Sequence, residues 1–168
     1  KEKIETRVSD FESDIQLLEV NDTKTSMGAR LAMFQAGIRA GLAAPLGQSA
    51  EQRASFIRDL TKQDPFYQGA ELFLTNHMHN EFVEVFSERG IVGIIILAWF
   101  YVALLIAACR KGSFNSALLM ITISMMAYGI ADVIFYSREG YIVYLIAIVL
   151  CIVFDRNYRE QFSPPIKH

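Results

Sequence analysis

The chain has 168 residues, 52% of them hydrophobic, and a net charge of −2. That balance excludes a nucleic-acid binder built on a concentrated basic surface. Residues 1–89 hold 10 basic and 14 acidic side chains and residues 90–168 only 6 and 4, so a polar, mildly acidic half precedes a lipid-like one. The two cysteines, Cys109 and Cys151, both sit in apolar runs and imply no disulfide framework.

Ile4, Val8, Phe11, Ile15 and Leu18 recur at steps of three and four with charges between them, the stripe of an amphipathic helix. The stripe suits either a membrane surface or packing on the rest of the polar half. Asn21-Asp22-Thr23 breaks it. A second helix is predicted to start after Thr25 or Ser26, with Met27, Leu31, Phe34, Ile38 and Leu42 along its apolar face, and to end at Pro45-Leu46-Gly47. Gly37 and Gly41, four apart, could let it approach another helix closely. Ser49 and Gln52 form a capping-box pattern for a third helix, with Phe56, Ile57 and Leu60 as its apolar face. Residues 63–76 show no period and read as loop. A last helix of this half begins near Asn80 and runs toward the first apolar run.

Three such runs follow, at 90–109, 117–136 and 141–154. The first has 20 residues without a charge, which at about 1.5 Å per residue matches a hydrocarbon core of about 30 Å. The second is interrupted only by Asp132, and the third is short. Arg110-Lys111 and Arg156 with Arg159 follow the first and third runs, which places the 110–116 loop and the 155–168 tail in the cytoplasm by the positive-inside rule. Residues 1–89 and 137–140 then share the outer side. With its first half outside and no signal peptide after Lys1, the chain is expected to be part of a longer polytopic protein. The predicted class is an all-α membrane protein fragment, a helical loop domain followed by three transmembrane helices.

The richest chemistry lies in Asn76-His77-Met78-His79-Asn80-Glu81, just before a span. A neutral imidazole there could accept a proton from a sugar hydroxyl. The same residues also suit a plain helix start capped by Asn76 or Asn80, or a metal site in which His-x-His-x-Glu on a strand points three ligands one way. Arg30 opens the second helix beside Gly28, where the dipole favours anions; a phosphate shared between its guanidinium and backbone N–H groups would suit it, and a solvated arginine would equally. Asp132 inside an apolar run is costly and points to a protein interior or polar cavity. Arg138, six residues on, could line the same outer mouth or simply pin helices through an ion pair with Asp132 or Glu139. Glu81, Glu84 and Glu88 share a face and are expected to be solvated, as are Arg53, Arg58 and Lys62.

In order and spacing these features resemble the O-antigen ligase family. The matching residues are Thr25-Ser26-Met27-Gly28-Ala29-Arg30-Leu31-Ala32-Met33, Ser49-Ala50-Glu51-Gln52-Arg53, and above all His77-Met78-His79-Asn80-Glu81 with Glu84. Gly90-Ile91-Val92-Gly93, Ala131-Asp132-Val133-Ile134 and Ser137-Arg138 follow. The His-Asn-Glu block before a Gly-x-x-Gly span is shared with O-antigen polymerases.

The resemblance implies a multi-pass protein of the bacterial inner membrane with residues 1–89 periplasmic. It implies an inverting glycosyltransferase that needs neither metal nor nucleotide cofactor. The implied donor is O-antigen on undecaprenyl diphosphate and the implied acceptor a sugar hydroxyl of lipid A–core. Membrane lipids and upstream spans of the same protein complete the site, and no nucleic acid is involved. His79 matches the family's loop histidine, expected to act as general base. Arg30 and Arg138 match arginines expected on the donor diphosphate. His77, Asn80, Glu81, Arg53 and Asp132 would orient them. The alternatives are an O-antigen polymerase, and a non-enzymatic membrane scaffold indifferent to His79, Arg30 and Arg138. Residues 1–168 alone are expected to be inactive, since the earlier basic loop and spans lie elsewhere.

Overall fold

A computed structural model describes residue 6 and residues 13–17, 22–74, 77–110, 113–136 and 138–162. The amphipathic stripe is represented there only by Ile15, in a helical stretch over 13–17; Ile4, Val8, Phe11 and Leu18 lie outside the described residues. Helix α1 spans Ser26–Ala43 and α2 Ala50–Gln63. A 3₁₀ turn at Pro65–Tyr67 leads into the short α3, Gln68–Glu71. Then come α4, Glu81–Ala108, α5, Ser116–Ala131, and α6, Arg138–Phe162. A two-residue antiparallel pairing of Cys109–Arg110 with Ser113–Phe114 joins α4 to α5.

Caps set the early boundaries as the sequence predicts. Thr25 accepts from Gly28 N–H to start α1, and Ser49 with Gln52 closes a reciprocal capping box on α2. The apolar face of α1 is largely not the predicted one, although Ile38 of that face packs against the core. Met27, Leu31, Phe34 and Leu42 are exposed, while Gly28, Ala29, Ala32, Met33, Ala36, Gly37, Ala40 and Gly41 are buried. A face of small residues brings the backbones of α1 and α4 together: a Cβ on Gly37 would collide with Val83, and one on Gly41 with the Phe86 ring. Close packing outweighs the burial of a few larger side chains here, because it brings many atoms into contact at once.

The predicted loop over 63–76 is largely helical turn. Asp64 caps the 3₁₀ segment, and Tyr67 and Ala70 are buried in the core with Ile57, Leu60, Met33 and Met78. Thr23 fastens this segment to the start of α1, its hydroxyl donating to Phe66 O at 2.6 Å and accepting from Gly69 N–H at 3.0 Å.

A second core forms where α4, α5 and α6 meet, around Leu97, Tyr101, Leu104, Leu118, Met125, Ile134 and Ile148. The outward faces of these helices are apolar: Ile95, Ile96, Trp99, Ile106, Met120, Ile130, Val143 and Val149 are all exposed. Contiguous apolar surface of this extent belongs against lipid or other helices rather than water. Among the described residues α4 is long and apolar enough to cross a membrane, and α5 is apolar but 16 residues long. Helix α6 carries the third apolar run and continues past it to Phe162.

Two features depart from smooth spans. Asp132 is not inside a helix: α5 stops at Ala131, and Asp132 is its extended C-cap, followed by a turn over residues 134–136. Helix α4 breaks at Gly90, whose φ of 62° and ψ of −154° are non-helical. The turn 45–48 is stitched into the break. Gln48 donates from its backbone to Glu88 O at 2.7 Å and from its side chain to Ser87 O at 2.7 Å, and Ile91 N–H donates to Pro45 O at 2.9 Å. A Cβ at position 90 would run into Pro45 O. Glycine is therefore required there twice over, by the positive φ and by the approach of a second backbone.

Candidate functional site

The site grows from the turn that leads into α4. Asn80 is the N-cap, its Oδ1 accepting from Val83 N–H at 3.0 Å. Its Nδ2 reaches across to donate to Ile130 O at 2.9 Å, tying the turn to the end of α5. Asn80 therefore serves both as a plain cap and as a link between the two halves of the chain. The residue before it, His79, has a φ of 48°. A left-handed histidine is uncommon and is held only where its surroundings demand it. The side chain of Met78 is buried in the loop-domain core and its N–H donates to Glu84 Oε2 at 2.7 Å. With the middle residue anchored, His77 and His79 flank it, ring centroids 4.4 Å apart and planes at 87°.

Asp132 meets both histidines. Its Oδ1 lies 3.3 Å from His77 Nε2 and 3.5 Å from His79 Nδ1. The carboxylate is held in place by Val133 N–H, at 2.9 Å from Oδ1, and by the Tyr128 hydroxyl, at 3.2 Å from Oδ2. Tyr136 packs edge-on against His77 at 4.7 Å, and Phe73 against His79 at 6.4 Å. Burial, then the neighbouring His79, hold the His77 imidazole below its ordinary pKa against the opposing pull of Asp132 and Glu84. His77 is accordingly neutral near pH 7.

Behind the turn lies a buried ionic brace that corrects two expectations. Arg53 is not solvated: it is buried on α2, with Nη1 2.9 Å from Glu84 Oε1 and 3.0 Å from Ser87 Oγ, and Nη2 3.1 Å from Glu88 Oε1. Nor do the three glutamates form a solvated face. Glu84 shares its carboxylate between Arg53 and Met78 N–H, so the brace reaches the histidine turn directly. Glu81 is buried, and its Oε2 accepts from Ile134 N–H and Phe135 N–H in the turn after Asp132. The acidic face of α4 thus buries its charge by clamping α2 on one side and the 133–135 turn on the other. A cleft of ≈ 340 Å³ opens beside it, lined by Glu84, Glu88, Arg89, Phe100, Phe135 and Tyr136 among others.

Two further candidates are Arg30 and Arg138. Both are exposed, and among the described residues neither makes a hydrogen bond or ion pair with the histidine cluster. The backbone donors nearest Arg30 are already engaged, Gly28 N–H with Thr25 Oγ1 at 3.1 Å and Met27 N–H with Asp14 Oδ2 at 3.4 Å. The start of α1 is therefore not an open anion cradle, and Arg30 offers its guanidinium alone. The metal-type grouping also differs in its members: His77, His79 and Asp132 converge, whereas Glu81 faces the other way onto backbone amides.

Residues 2–98 match the family described as O-Antigen ligase. The chain belongs to the O-antigen ligase family. It is 32% identical over 155 residues to the O-antigen ligase of Escherichia coli (strain K12), covering 92% of this chain and 36% of that protein. The chain therefore spans about a third of that relative's length. No solved structure matches it. The helices before α4, the paired histidines and the apolar helix α4 are thus features of an O-antigen ligase family member, and the apolar helix is consistent with a membrane protein.

In this O-antigen ligase family chain the resemblance marks Arg53 as an orienting residue, but its buried pairing with Glu84 and Glu88 is not expected from the charge pattern. Its signal was present: Arg53, Ile57 and Leu60 share one face at i, i+4 and i+7, so the arginine stands on the buried stripe. Tyr128 and Tyr136, which hold Asp132 and His77, gave no separable signal within an apolar run.

Proposed function

We propose that the protein containing this chain attaches O-antigen to lipopolysaccharide. It takes the polysaccharide from undecaprenyl diphosphate and transfers it to a sugar hydroxyl of lipid A–core at the periplasmic face of the bacterial inner membrane. The reading rests on the family and on one observation: His79, held in a left-handed turn at the mouth of an apolar helix, faces the Asp132 carboxylate through Nδ1.

With Nδ1 turned toward Asp132, Nε2 is the nitrogen left for the acceptor. It takes the hydroxyl proton as the acceptor oxygen bonds to the anomeric carbon of the donor. The bond from that carbon to the diphosphate oxygen breaks in the same displacement, its electron pair leaving with the diphosphate, and the anomeric configuration inverts. Asp132, 3.5 Å from Nδ1, stabilises by its charge the imidazolium that forms. His77, neutral and packed between Tyr136 and His79, keeps a second positive charge away from that imidazolium. Arg30 and Arg138 are exposed, and are assigned to the donor diphosphate, where guanidinium charge stabilises the leaving group without a metal. In this reading α4, α5 and α6 carry the membrane spans, residues 1–89 lie in the periplasm, and upstream helices of the same protein complete the lipid site.

His79→Ala in the full-length protein is expected to lower transfer by about 100-fold or more with the protein still present in the membrane. Lipopolysaccharide gels would then show uncapped core, and long lipid-linked chains would accumulate unattached. Normally capped lipopolysaccharide would overturn the proposal, and accumulation of single lipid-linked repeats would move it to a polymerase.

A further inference from the structure

The contacts of Asp132 with the two histidines are close without being well-formed hydrogen bonds. His79 Nδ1 is buried and has no hydrogen-bond partner among the described residues, although a carboxylate oxygen lies 3.5 Å away. Groups that hydrogen-bond point at one another; groups that share a cation point at a place between them. Two ligand atoms bound tetrahedrally to zinc at about 2.0–2.1 Å stand about 3.4 Å apart. Here the carboxylate oxygen is 3.3 Å and 3.5 Å from the two ring nitrogens, and the three ligand atoms all lie within 4.8 Å of one another.

We infer that His77, His79 and Asp132 form a binding site for a divalent cation of the zinc class, and that such a cation inhibits transfer by occupying His79. Two imidazoles and one carboxylate select zinc, cobalt or nickel over magnesium or calcium, which prefer all-oxygen shells. The side chains of His77, His79 and Asp132 are 18%, 24% and 35% exposed, so the cluster borders solvent although His79 Nδ1 itself is covered. Val133 N–H and the Tyr128 hydroxyl orient the carboxylate as the outer partners of a metal ligand do. A cation bound through His79 Nδ1 would sit between the ring and Asp132, and an imidazole so bound takes up protons poorly. The binding site stands on this geometry alone, whereas the inhibition rests on His79 being the proton acceptor proposed above.

The test uses the full-length protein in detergent, with cobalt(II) as spectroscopic probe and zinc as competitor. One equivalent of cobalt is expected to give a visible absorption band that zinc abolishes, and zinc is expected to raise the melting temperature of the wild type by mass action. Asp132→Asn and His77→Gln are each expected to weaken cobalt binding by at least about 10-fold. Micromolar zinc should suppress wild-type transfer, and chelation should restore it. No cobalt band and no zinc-induced thermal shift would overturn the site, as would a band unchanged in both variants. A site that binds cobalt as described while transfer proceeds undiminished in saturating zinc would leave the binding intact, and would overturn the inhibition together with the role of His79 as base.

Discussion

Arg53→Met tests whether the histidine turn depends on a brace more than twenty residues away in sequence. The substitution removes the cation that meets Glu84 at 2.9 Å and Glu88 at 3.1 Å, in a site where the arginine is 4% exposed. Methionine fills most of the volume but leaves Glu84 charged, buried and half-partnered. Breaking a buried pair from one side costs about 3–5 kcal/mol. Glu88 contributes little of that, since it is partly exposed and can turn to solvent. Glu84 has two ways out, protonation or rotation away, and either weakens its hold on Met78 N–H. Stability and transfer should therefore fall together. The assay is thermal unfolding of the full-length protein in detergent beside transfer from a lipid-linked donor. The double variant Arg53→Met/Glu84→Gln supplies the control. With the orphaned charge removed, it should recover about 0.5–3 kcal/mol relative to the single variant and regain part of its activity. Arg53→Met melting like the wild type, with the double variant no better than the single, would refute the brace.

Gly90→Ala should destabilise by about 1–3 kcal/mol, because alanine neither tolerates the left-handed φ nor clears Pro45 O; denaturant titration checks it, and wild-type stability would mean the break relaxes freely. The pH dependence follows from His77. Its folded pKa lies below its unfolded value near 6.5, so the unfolded chain binds the proton first as pH falls. This group's contribution to stability is complete above about pH 6.5 and is lost as pH falls toward the folded pKa. His77→Gln should flatten that part of the stability profile, and an unchanged slope would assign it elsewhere.

Much of the helical plan was legible because its signals are local. Thr25, Ser49, Gln52 and Asn80 are caps, and a cap needs only its own helix. The pairing of His79 with Asp132 was not legible from the residues themselves, since it joins two segments more than fifty residues apart. The face of α1 was misjudged because size was read as burial; Gly28, Ala32, Ala36 and Ala40 are inside since they allow α1 to lie against its neighbours. Glu81, Glu84 and Arg53 were misjudged for a related reason. Charge was read as solvation, whereas each of them has a fixed partner waiting in the fold, and a partner is what makes burial tolerable. Asp132 stands out in its apolar run, but the helix ends one residue before it: its backbone N–H closes α5 on Tyr128 O, and its carboxylate lies beyond the helix end.

The splice at Gly90 makes α4 two mechanical parts. After it runs an apolar rod; before it the carbonyls of Ser87 and Glu88 accept from Gln48. A bilayer that thins or thickens re-tilts such a rod. At Gly90 the lower part is held to Pro45 O through Ile91 N–H, so a change of its tilt is met first by the 45–48 turn and not by the helix ladder that leads to the histidines.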